Sequence, residues 1–357
     1  MKKLESNAGQ MLMVGIGGDE LTTAELNICQ SLNFGGFILF SRNCYEPVQI
    51  HSLCRALSKA TGYRPFIAID EEGGRVHRLP PPFTHFPPAA LVGKTGSLDL
   101  AFRVGRAVAA ELTLLGVNLN FAPVLDVSSN SENPIIGDRS FGTTPDRVAT
   151  MALAWSEGLS SMGIIPCGKH FPGHGHTETD SHLQLPRVTK SLGELHAVEL
   201  KPFVHACRHR IEALMTAHVV FPALDDKFPA TLSSRIVTEV LRQELGYDGL
   251  LFSDDMKMKA ITENFDAGEA AITSVRAGID VLLYCHDLSK AANIVELLCR
   301  EATHDSQLRV RIEESTARID KLKKRCLQQH RSLPEKELLE RLLALDHIKL
   351  IDEVQGS

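Results

Sequence analysis

The residues best suited to chemistry lie in 163–186, GIIPCGKHFPGHGHTETDSHLQLP. Four of the fifteen histidines are here, His170, His174, His176 and His182, with Lys169 before the first and Asp180 two residues before the last. The apolar run ending in Lys169-His170 reads as a buried strand that delivers polar groups at its C-terminal end, and the Gly/Pro spacing after it forbids immediate helix. Strand ends of this kind are where α/β enzymes put their chemistry. The competing reading is a structural loop whose histidines satisfy backbone groups.

Three further strand ends carry charge. The run GLLFSDDM passes straight from apolar residues into Asp254 and Asp255. Side chains alternate along a strand and a buried carboxylate is costly, so one of the two is expected to face the reaction site while the other caps a turn. Asp255 suits the cap, which leaves Asp254 as a candidate nucleophile. The run PFIAID ends in Asp70 and continues EEGGRVHRL, bringing Arg75 and Arg78 close behind it. An Asp at that place could equally cap the next turn. The connection 79–97 holds five prolines and is expected to wall one side of a cleft. After VNLNFAPVLDV, the segment SSNSENPIIGDRSFG offers Arg139, whose guanidinium could fork onto sugar hydroxyls or a carboxylate, or else pair with Asp138 or Asp126 at the surface.

These side chains need a frame. Apolar runs near 11–16, 36–40, 65–69, 117–127, 163–168, 213–221, 249–253 and 279–285 read as strands. Helical periodicity fills 21–33, 46–60, 98–115, 145–162, 192–209, 232–245, 266–277 and 288–302 between them. Eight alternations predict a single (β/α)8 barrel over 1–303. A doubly wound open sheet is the competitor, but residues 14–18 lack the G-x-G-x-x-G spacing of its phosphate turn. From 304 to 357 the sequence becomes charged, and Ile312, Ile319, Leu322 and Cys326 share one helical face. Two amphipathic helices packed on the barrel are expected there, with a capping box at Ser332 and Glu335.

At 357 residues, 43% hydrophobic and with a net charge of -6, the chain suits a globular protein that binds neither nucleic acid nor an anionic membrane in general. Its eight cysteines lie singly and no secretory signal is visible, so reduced thiols in a cytoplasm are expected.

Taken together, KHFPGHGHTETDSHLQLP, with AIDEEGGRVHR before it, NPIIGDRSFG between and FSDDM after, resembles glycoside hydrolase family 3, most closely its bacterial NagZ-type β-N-acetylglucosaminidases. The resemblance spans about residues 10 to 285 and leaves the C-terminal helices aside. It implies a (β/α)8 barrel without metal or cofactor. It makes Asp254 the nucleophile of a retaining mechanism, His182 the acid/base and Asp180 the group that orients His182. It assigns Asp70, Arg78, Arg139, Lys169 and His170 to the hydroxyls and 2-acetamido group of the bound sugar, with His218 lining the same pocket. GlcNAc-containing saccharides, muropeptide fragments above all, are the implied substrates of a monomeric enzyme. The chain departs from the pattern at Glu71 and His77, where glutamine is common in both places. Competing readings are substrate-assisted hydrolysis with Asp70-Glu71 as the supporting pair, phosphorolysis on the same site, a metal-dependent barrel hydrolase and a non-catalytic sugar-binding protein.

Overall fold

The short apolar runs form strands because their residues are buried on both faces, as parallel strands covered by helices must be. In the computed structural model, which describes residues 2–177, 181, 185–286, 288–327 and 333–356, eight of them close into a parallel barrel. Its strands are β1 (Leu12–Gly15), β2 (Gly36–Leu39), β3 (Phe66–Ile69), β4 (Leu119–Asn120), β5 (Ile165–Phe171), β6 (Ala213–Thr216), β9 (Leu250–Asp255) and β10 (Val281–Tyr284). Sequential neighbours pair throughout, and β1 closes the ring on β10. A two-stranded antiparallel hairpin, β7 (Val220–Phe221) and β8 (Asp225–Pro229), projects between β6 and β9. Phe66, Phe121 and Phe252 meet edge to face in the interior, so the barrel is a packed core.

Helices α1 (Lys2–Gln10), α2 (Thr23–Leu32), α3 (Pro47–Lys59), α4 (Ala89–Thr95), α5 (Leu98–Leu115), α6 (Pro145–Ser161), α7 (Leu192–Ala197) and α8 (Lys201–Arg208) precede a π-helical segment, Arg235–Glu244. They are followed by α9 (Lys259–Thr262), α10 (Ala267–Ala277), α11 (Leu288–His304), α12 (Ser306–Cys326), α13 (Glu335–Leu343) and α14 (Ile348–Gln355). Local chemistry sets their ends. Thr22 and Glu25 form a reciprocal capping box at the start of α2, and such a cap is worth about 1 kcal/mol.

Several details differ from the sequence reading, each for a physical reason. The expected strand 117–127 keeps only Leu119–Asn120 in regular pairing, because Pro123 has no N–H for the ladder, although Leu125 still donates to the Lys169 carbonyl at 2.6 Å. The expected helix 192–209 is broken into α7 and α8 ahead of Pro202, and Glu199 turns inward at the break. Among the described residues three helices, not two, follow residue 304: the turn between α13 and α14 is set by Asp346, which accepts from the Ile348 amide at 3.2 Å. Ser332 of the expected capping box lies outside the described residues.

The helix face predicted from Ile312, Ile319 and Leu322 is buried, and a polar joint locks it to the barrel. Asp280, fully buried before β10, accepts from Arg242 (2.6 Å), the Leu251 amide (3.0 Å), Ser315 (2.9 Å) and Arg318 (3.2 Å), the last two on α12. Removing a carboxylate from such a set leaves buried donors unpaired. Asp280→Ala is expected to cost about 3–5 kcal/mol in urea unfolding, with kcat of the folded fraction unchanged.

Candidate active site

The C-terminal ends of the barrel strands surround a cavity of about 320 Å³. Phe40 follows β2; Asp70, Glu72, Arg75 and Arg78 follow β3; Lys169 and His170 end β5; Asp254 and Asp255 end β9; Cys285 and His286 follow β10. Arg139, His174 and Ser181 reach the cavity from loops.

Charge is paired tightly on one side. The Lys169 ammonium, buried, donates to Asp70 at 2.7 Å and lies 2.7 Å from Glu72. Arg139 forks onto Glu72 with two bonds of 2.8 Å. Burial alone would raise the Glu72 pKa, but Arg139 and Lys169 outweigh it and hold the carboxyl well below the usual range. Lys169 is likewise raised against its burial by Asp70 and Glu72. A group held low contributes stability above its ordinary pKa of about 4.3 and loses it as pH falls through the depressed value. Glu72→Gln is therefore expected to cost about 3 kcal/mol at pH 7 by denaturant unfolding, and progressively less in strong acid.

A second carboxylate shapes the histidine loop. Asp126, fully buried, accepts from His170 Nδ1 (2.7 Å) and from the backbone amides of His170 (3.2 Å) and His174 (2.6 Å). Burial opposes its ionisation, but His170 and His174 overcome this and keep its pKa low. Gly175 packs so closely that a Cβ there would lie 1.7 Å from the Val127 carbonyl oxygen, which explains a glycine in this loop. The His174 ring is bonded to Thr177 (2.8 Å) and Ser181 (3.1 Å), and burial pushes its pKa down to about 4.

Across the cavity, Asp254 is half-buried and its Oδ1 accepts from the Asp255 amide at 2.8 Å. Asp255 takes the amides of Lys257 (3.1 Å) and Cys285 (3.2 Å), the capping role expected of it. Both carboxylates nevertheless line the cavity, contrary to the alternation argument. Burial raises the Asp255 pKa, and the Asp254 charge adds to the effect.

Of the residues singled out in the sequence, Asp70, Arg78, Arg139, Lys169, His170 and Asp254 are brought to one cavity. Arg139 pairs with Glu72 rather than with Asp138, which Arg75 takes at 3.0 Å, or with Asp126. His218 is different: it has no exposed surface, is not among the lining residues, and bonds Thr231 (2.8 Å) and the Asp255 carbonyl (3.1 Å). That places it in support of β9 and not in the pocket wall. Asp180 and His182 lie outside the described residues, while Ser181 between them lines the cavity. Sequence reasoning missed Glu72 and Asp126 as organisers. Asp126 carried a signal, a charge inside an apolar run that burial forces to find partners.

A profile described as the Glycosyl hydrolase family 3 N terminal domain matches residues 3–322. Among curated proteins, a beta-hexosaminidase of Tolumonas auensis is 38% identical over 288 residues, covering 80% of this chain and 85% of that protein. A family 3 beta-N-acetylglucosaminidase from Paenibacillus superposes with a TM-score of 0.88 at 36% identity, over 95% of this chain and 68% of its own. NagZ from Neisseria gonorrhoeae, solved in complex with N-trifluoroacetyl-D-glucosamine, gives a TM-score of 0.77 at 33% identity, over 97% of both chains. With the profile spanning most of the barrel and these relatives matched over most of their length, the chain belongs to glycosyl hydrolase family 3.

Proposed function

We propose that this chain is a retaining, exo-acting β-N-acetylglucosaminidase. The observation that carries the reading is the cavity itself, with Asp254 set opposite the Asp70–Lys169–Glu72–Arg139 cluster. At about 320 Å³ it falls at the small end of ligand pockets, as suits one terminal sugar. Asp254 attacks the anomeric carbon and forms the glycosyl-enzyme; His182, oriented by Asp180, protonates the leaving oxygen and then deprotonates water. His174 does not compete for that role, since its depressed pKa leaves it neutral at working pH. Asp70, Arg78, Lys169, His170 and Arg139 hold the sugar hydroxyls and acetamido group, and His218 supports them from beneath.

The relatives named beta-hexosaminidase and beta-N-acetylglucosaminidase support this substrate class. The finer assignment is GlcNAc-1,6-anhydro-MurNAc fragments, with or without peptide, handled by a monomer in a cytoplasm during peptidoglycan recycling. All eight cysteines are unpaired, and no helix among the described residues is long and apolar enough to cross a membrane. The test is incubation with an aryl β-N-acetylglucosaminide, with and without phosphate. Free GlcNAc is the expected product. GlcNAc-1-phosphate would make the enzyme a phosphorylase on the same residues, and no phenol release would overturn the reading.

A further inference from the structure

Glu71 and His77 face one another behind the cavity-lining Arg78. His77 Nδ1 lies 2.5 Å from Glu71 Oε1, with the Glu71 side chain 2% and the His77 side chain 15% exposed. The second Glu71 oxygen accepts from the Arg78 amide at 3.0 Å. Glu71 is itself fixed from behind, since its amide donates to Asn120 Oδ1 (3.0 Å) and its carbonyl accepts from Asn120 Nδ2 (2.8 Å). Arg78 is held by its backbone, while its side chain reaches the cavity. Its Nη2 stands 3.8 Å from Asp70, and its buried Nε has no partner among the described residues. The Arg78 side chain lines the cavity and makes only a long contact with Asp70, so its guanidinium has donor capacity left for a ligand oxygen.

We propose that the Glu71–His77 ion pair positions Arg78 for the sugar, so that sugar affinity weakens at alkaline pH. The proposal rests on the glycosidase reading. When His77 loses its proton, Glu71 becomes a buried carboxylate without a counter-charge, and its grip on the Arg78 amide is no longer part of a neutral pair. The other groups facing the pair are few. His85 stacks on His77 at 4.5 Å, and its Nε2 donates to the Gly74 carbonyl. Glu111 on α5 adds a negative charge and in turn faces His347, before α14, at 3.7 Å. Cys44 also sits in the Glu71 field, but its thiol is pushed up to about 12 and stays neutral. Burial opposes the imidazolium, yet the Glu71 bond and charge outweigh it and raise the His77 pKa. The stabilisation is therefore fully present below the ordinary histidine pKa of about 6.5 and is lost as pH climbs through the raised value.

The experiment compares kcat and KM on an aryl β-N-acetylglucosaminide from pH 6 to 9 for wild type, Glu71→Gln, His77→Gln and the double variant. Two amides can hydrogen-bond without charge, so the double variant keeps the contact but not its titration. Wild-type KM is expected to rise about tenfold towards pH 9, the scale of a charge-assisted bond, while the double variant stays within about twofold throughout. Each single variant is expected to show a raised KM at every pH, rescued in the double. Glu111, whose burial raises its pKa to about 7, is separated by Glu111→Gln, which should retain the alkaline rise. Parallel KM profiles for wild type and double variant would overturn the proposal. The His77 ring is followed separately by ¹⁵N NMR: titration at or below the ordinary value would also overturn it. Loss of all phenol release in wild type would instead strike the glycosidase reading, and the NMR titration would still judge the pair.

Discussion

Asp254→Ala is expected to lower kcat on an aryl β-N-acetylglucosaminide by about 10⁴-fold or more, while unfolding free energy changes by no more than about 1 kcal/mol. The two halves of this expectation come from different neighbours. Asp254 accepts from the adjacent Asp255 amide and is half-buried at the cavity. Asp255, by contrast, ties the end of β9 to the following turn and to Cys285 after β10, so the structural work falls there. Removing Asp254 also removes the charge that helps to raise Asp255, which offsets part of any loss. A nucleophile in a retaining mechanism bears the sugar covalently. A 2-fluoro sugar with a good leaving group should therefore add its glycosyl mass to Asp254 in the wild type and none in the variant. Full activity in Asp254→Ala, or a glycosyl adduct elsewhere, would remove Asp254 from the mechanism and return substrate assistance by the acetamido group to consideration.

The barrel was legible in the sequence because its strands are short apolar runs and its helices are amphipathic, two patterns that local composition records directly. The polar groups at the strand ends were legible for the same reason: Asp70, Lys169 and Asp254 each close an apolar run. Their partners were not. Lys169 meets an aspartate 99 positions away and Arg139 a glutamate 67 away, so the nearby Asp138 and Asp126 looked like the natural partners of Arg139 until the chain was closed on itself. His218 lies in an apolar run and was drawn towards the pocket, but its ring is spent on Thr231 and the Asp255 carbonyl. The elements missed were those that depend on docking. Helix α1 is polar through much of its length and buries only its last three residues, Ala8, Gly9 and Gln10. Hairpin strand β8 exposes most of its residues and carries two aspartates and a lysine, so no apolar run announces it.

His182→Ala is expected to separate substrates by their leaving groups. A nitrophenolate departs without help, whereas a sugar alkoxide requires a proton, and a positioned acid contributes on the order of 10²–10⁴-fold. Cleavage of a GlcNAc disaccharide should therefore fall about 10³-fold, and that of an aryl glycoside by no more than about tenfold. The described surroundings hold no ready substitute. His174 is neutral at working pH, with both ring nitrogens engaged by Thr177 and Ser181. His170 bonds the buried Asp126, and the more exposed His286 is stacked on Phe40 and stands 4.0 Å from Asp255, with its pKa lowered by burial. With these three rings so engaged, the alkaline limb of kcat/KM on the disaccharide should vanish with the imidazole, while the residual rate on the aryl substrate follows Asp254 alone. Equal losses on both substrates would mean that His182 acts on sugar binding or loop structure and that the proton comes from elsewhere.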